Sequence, residues 1–191
     1  MFGVAFWGVA AHRVSPTVVG RMSAEIAVMM LLATLAQLGF DSTFERFIPI
    51  AGDQTRKFIT RAYTICILVA LGLAFGYVSL GFGNRMIPSS FGWRALFVFM
   101  TALWTVFALQ DSVLIGLRDS RWVPVKNIIY SVVKLAIIPL TLIISHGQGI
   151  FIAWTAPVLL LVLIVNWYLL RRRIPYQRSR KRSRQSLSVL A

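Results

Sequence analysis

Long apolar runs free of charge alternate with short polar connections along the chain. Ala62 to Phe82 contains no charged residue, and neither does Gly147 to Leu170. A helix needs about 20 apolar residues to cross the roughly 30 Å hydrocarbon layer, so each run reads as a membrane span. Ala95 to Gln110 is also uncharged and continues past Asp111, while Asn127 to Ser145 is interrupted only by Lys134 and a kink-prone Pro139. From Val18 to Phe40 a further apolar run carries Arg21 and Glu25 near its start. The opening, Met1 to Ala11, is apolar but too short to cross alone, and it lacks the basic flank of a signal peptide. It reads as the second half of a helix from an incomplete start, with a cleaved signal ending at Ala10 and Ala11 as the alternative. The expected class is all-α: a polytopic membrane helix bundle of five to six transmembrane helices, with spans at about 1–12 (partial), 18–40, 60–83, 95–117, 126–145 and 148–170.

Breakers fall between these spans: Pro16, then Pro49 and Gly52, then Pro88 and Gly92, then Gly147 and Gly149. The connections are short, so any function must come from the bundle or its faces. After Arg171 the sequence turns polar and basic to its end, and residues 171–191 read as a disordered cytoplasmic tail drawn to anionic lipid headgroups.

A formal charge of +14 would suit a nucleic-acid binder, but 58% of residues are hydrophobic and the basic residues sit between spans or in the tail. The charge therefore reports topology. Arg46, Arg56, Lys57, Arg61, Arg118, Arg121, Lys126 and the tail arginines fall on one side, against Arg13, Arg21, Arg85 and Arg94 on the other. The positive-inside rule makes the first side, with the C-terminus, cytoplasmic, in a bacterial-type plasma membrane.

Arg46-Phe47-Ile48-Pro49 recurs in type as Arg121-Trp122-Val123-Pro124. Arg46, Phe47, Arg121 and Trp122 read as interfacial anchors, with an internal duplication as the alternative. No metalloprotease, nucleophile-elbow or phosphate-loop spacing occurs, the histidines are His12 and His146, and the one cysteine is Cys66. No enzyme, metal or cofactor is expected.

The informative residues are the polar ones inside spans, because a charge in hydrocarbon costs several kcal/mol unless it faces protein, water or a partner. Lys134 lies near mid-bilayer and reads either as a cavity cation for an anionic group or as a residue that snorkels or pairs with Asp111. Asp111 and Gln110 lie near the cytoplasmic end of their span, where a structural ion pair is the simpler role for Asp111. Glu25 lies four residues after Arg21, a spacing that suits an interfacial pair. Gln37 and Asn166 suit interhelical hydrogen bonds.

The order of several segments resembles the polysaccharide-exporter branch of the multidrug/oligosaccharidyl-lipid/polysaccharide flippase superfamily. The resemblance is carried by Phe6-Trp7, Val19-Gly20, Leu38-Gly39-Phe40-Asp41 with Arg46 to Pro49, Leu109 to Arg118, Trp122-Val123-Pro124 with Asn127, Gly149-Ile150-Phe151 and Ala153 to Pro157. It implies translocation of an undecaprenyl-pyrophosphate-linked glycan, without catalysis, by alternating access between two lobes with cations in a central cavity. It favours Lys134 as such a cation; Asp111, Gln110 and Glu25 are further substrate-contacting candidates by their position inside the spans alone. Members have two lobes, and this chain matches one. The expectation is a truncated or half-size flippase of polysaccharide or lipopolysaccharide biosynthesis that pairs with a second lobe or another copy of itself. A drug or cation antiporter and a non-transporting scaffold are the alternatives.

Overall fold

The computed structural model describes residues 2–83, 87–145 and 148–173, and every regular element among them is helical. The helices are α1 (Phe2–Arg13), α2 (Pro16–Ala36), α3 (Phe40–Ala51), α4 (Thr55–Ser79), α5 (Phe91–Gly116), α6 (Trp122–Ser145) and α7 (Gly149–Tyr168). A 3-10 turn, Gly52–Gln54, links α3 to α4, and a π-helical turn, Leu169–Arg173, extends α7. Five stretches are long and apolar enough to cross a membrane: Pro16–Ala36, Phe40–Ser79, Phe91–Gly116, Trp122–Ile144 and Gly149–Arg171. Helix α1, at 12 residues, is about 18 Å long and falls short.

Local sequence explains the boundaries. Pro16 opens α2 after an extended Ser15, since its missing N–H costs nothing in a first turn. Pro139 and Pro157 lie inside α6 and α7, and both helices run through them.

The structure departs from the sequence expectation in three places. The span expected at 18–40 ends at Ala36, because Leu38 and Gly39 both adopt left-handed backbone, at φ 51° and 76°. Glycine takes such angles freely and leucine does not, so the break is a specified feature. It lies beside the middle of α4 and α5: the Cys66 thiol donates to the Gln37 carbonyl at 3.7 Å, and Ala36 clusters with Ala70 and Ala102.

Most of the stretch read as a connection is α3. Phe44 and Ile48 of α3 are buried, whereas Asp41, Glu45 and Arg46 are exposed. Alone, this amphipathic 12-residue helix is too short to cross, and it leads into α4 within the stretch Phe40–Ser79. The π-helical turn also makes Arg171 to Arg173 helical, inside the segment expected to be a tail. The rest of that tail, with Arg85 and His146, lies outside the described residues.

Helix α5 is the centre, packing against α2, α3, α4 and α7, while α6 lies on α7 and α1. Lipid is as apolar as leucine, so packing must come from close approach rather than from the hydrophobic effect. Ala62, Cys66, Ala70 and Ala74 recur every fourth residue and form the buried stripe of α4. Gly116 plays the same part at the end of α5, where an added Cβ would stand 2.6 Å from the Phe44 carbonyl oxygen.

Candidate functional site

Lys126, Tyr130 and Lys134 follow one another at four-residue intervals on α6, so they share one face. That face turns into the bundle, and all three residues are buried. The two ammonium groups, about 12 Å apart along the axis, have very different surroundings.

Lys134 is 4% exposed, halfway along α6. Its Nζ lies 3.6 Å from the ring centroid of Trp154, 4.7 Å from that of Tyr130 and 5.3 Å from that of Phe6. Aromatic faces carry partial negative charge and stabilise a desolvated cation. The cage is itself fixed. Phe6 and Trp7 of α1 pack on Trp154 at 5.2 and 5.9 Å, and Trp104 of α5 packs on Trp154 and Tyr130. The Tyr130 hydroxyl donates to the Trp154 carbonyl at 3.1 Å, on the turn that Pro157 leaves one N–H short. The Trp154 indole N–H is buried without an acceptor.

Lys126 is a structural cation. Its Nζ donates to the Phe107 carbonyl at 2.6 Å, pairs with Asp111 at 2.7 Å and lies 3.8 Å from the Phe107 ring centroid. Asn127 donates to the other Asp111 oxygen at 3.3 Å. The ion pair expected for Asp111 therefore exists, but with Lys126, which the sequence had assigned to a cytoplasmic connection. Lys134 lies two turns too far along α6 to reach it.

Gln110 faces the other way. Its amide donates to the Val162 carbonyl at 3.1 Å and to the Asn166 side chain at 3.0 Å, tying α5 to α7. Glu25 is 1% exposed and accepts a hydrogen bond from the Trp93 indole at 3.0 Å, while its second oxygen is buried without a partner. Among the described residues no close ion pair joins Glu25 to Arg21, which is exposed and acts on it through the longer-range attraction of its charge, and the direct partner comes from α5 instead. The four candidate residues thus occupy four separate stations and do not converge.

The two anchor segments also diverge. Pro124 stands in the first turn of α6, whereas Pro49 stands near the end of α3. Phe47 and Trp122 are both exposed rings, the first beneath the Arg46 guanidinium at 5.8 Å. Arg121 pairs with Asp119 at 3.3 Å.

Sequence reasoning missed Lys126, Tyr130, Trp154 and Phe6. A signal for the first two was present in the four-residue spacing with Lys134. Phe6 and Trp154 stand in segments that carry the resemblance, but nothing local ties them to Lys134, which they reach from other helices. Among the described residues no group of three or more His, Cys, Asp or Glu could hold a metal ion.

The chain matches the family model described as "Polysaccharide biosynthesis protein" over residues 6–190, so the match runs through every helix and into the basic segment. No curated protein and no solved structure matches it.

Proposed function

The chain belongs to the polysaccharide biosynthesis protein family, and from that membership we propose that this multi-pass membrane bundle helps carry a lipid-linked oligosaccharide across the bacterial inner membrane. Lys134 is the observation that carries the reading. A buried ammonium halfway along a membrane-length helix, held among the described residues by ring faces alone, is suited to receive an anion. The pyrophosphate between lipid and glycan is the matching group. In this reading the cage of Phe6, Tyr130 and Trp154 holds the charge while the site is empty, and the anion takes over when substrate enters. Lys126 and Asp111 hold α5 and α6 together beneath it. No bond is made or broken, and no cofactor takes part.

Alternating access needs two surfaces around one site. This bundle supplies one, and a second lobe or another copy supplies the other. The side bearing Arg56, Lys57, Arg61, Arg118 and the tail faces the cytoplasm, where the tail meets anionic headgroups. Cysteine placed at Ser183 should react with an impermeant thiol reagent only after cells are opened.

Export of surface polysaccharide in cells expressing variants tests the reading. Lys134→Ala should abolish export at unchanged protein level, and Lys134→Arg should keep part of it. Normal export by Lys134→Ala would remove Lys134 from the site. Cation antiport is the rival, favoured by the buried Glu25 carboxylate with its free oxygen. It requires that Glu25→Gln abolish dye efflux while leaving polysaccharide export intact.

A further inference from the structure

An apolar groove of about 270 Å³ runs between α6 and α7 on the outside of the bundle, toward the end where α7 finishes. Val125, Ile129 and Ile164 form its rims and are open to the bilayer. Lys126 also lines it, but its ammonium is turned inward to Phe107 and Asp111, so only its methylenes face the groove. A polar side chain entering here would find no partner, whereas a hydrocarbon chain would lose nothing.

The mouth is different in chemistry. Trp122 and Trp167 stand at its edge as half-exposed indoles, the pattern of an aromatic belt at the headgroup level. The Arg171 guanidinium lies 5.9 Å from the Trp167 ring centroid. Arg121, next to Trp122, has a side chain 77% exposed and uses one N–H toward Asp119. Its other donors have no partner among the described residues and can take a phosphate. Asp119 is the acidic residue at this mouth, and it is engaged by Arg121 and by the Tyr168 hydroxyl. Arg118 is exposed beside it, and from Arg171 to Arg184 the sequence adds basic residues with no acidic one.

We propose that this groove holds an acyl chain of an anionic phospholipid whose phosphate is met by Arg121 and Arg171. The charge argues against a second copy as occupant, because a two-fold contact through this face would bring the same arginines together. The proposal needs only that the bundle lie in a bilayer, and it stands or falls apart from the transport reading.

Native mass spectrometry of the full chain released from detergent, with added phosphatidylglycerol or phosphatidylcholine of identical chains, provides the test. Phosphatidylglycerol should be retained on the order of tenfold more strongly. Arg121→Gln with Arg171→Gln should bring the two lipids to parity. Ile164→Trp, or Val125→Phe should that variant not fold, fills the groove from the bilayer side and should displace both lipids. Equal retention by the unaltered chain, or a preference that survives both sets of changes, overturns the proposal. Displacement of phosphatidylglycerol by equimolar undecaprenyl phosphate would also overturn it, assigning the groove to the transported lipid.

Discussion

The ammonium of Lys134 lies 3.6 Å from the ring centroid of Trp154, a residue of another helix whose backbone carbonyl is hydrogen-bonded by Tyr130, one turn from Lys134. Charge and cage are thus locked together through α6 and α7. A desolvated cation–π contact contributes about 2 kcal/mol. Trp154→Leu should lower stability by at least that amount in detergent, and Trp154→Phe by less. A double-mutant cycle with Lys134→Met, read by thermal unfolding, should return a coupling near 2 kcal/mol. A coupling near zero would mean that the ring does not hold the charge.

The Lys126–Asp111 pair should respond asymmetrically. The Lys126 side chain is 2% exposed and that of Asp111 28%. Removing the partner of a fully buried charge costs about 3–5 kcal/mol, so Asp111→Asn should destabilise strongly. Lys126→Met leaves a carboxylate that still reaches solvent or headgroups and should cost clearly less. Equal losses in the two variants would contradict this burial.

Glu25 accepts a hydrogen bond from the Trp93 indole, and an amide can accept it equally well. Glu25→Gln should therefore preserve stability, whereas Glu25→Leu leaves the indole N–H without its acceptor and should cost about 1–3 kcal/mol. Denaturant titration followed by tryptophan fluorescence would separate them. Loss of stability in Glu25→Gln would show that the charge itself is needed.

Gly116 permits the contact between α3 and α5, where an added Cβ would meet backbone at 2.6 Å. Backbone cannot swing aside as a flexible side chain can. Gly116→Val should push α3 off the bundle, at a cost of about 1–3 kcal/mol. Faster proteolysis within residues 40–54 would report it, and cleavage at the unaltered rate would count against the contact.

Much of this architecture is legible from the order of residues. Runs such as Ala62 to Ser79 must be helical in lipid, because every backbone donor and acceptor there has to be satisfied within its own segment. That constraint acts locally, so length and hydropathy suffice to find it. The same logic singles out Lys134, since a charge inside such a run stands out without knowledge of its neighbours.

Helix α3 escaped because its evidence of order is an apolar face of Phe44 and Ile48 whose counterpart, at Gly116, lies about 70 residues away. The partners of the buried charges escaped for the same reason. Sequence distance favoured Arg21 for Glu25, and Asp111 was a candidate partner for Lys134 by opposite charge alone, yet the bundle supplies Trp93 to the first and Trp154 to the second. Which helices cross the membrane is written into each segment separately. Which side chain meets which charge depends on how α1, α5, α6 and α7 rotate and stack, and in a bilayer that is decided by close contacts between helices that no single helix contains.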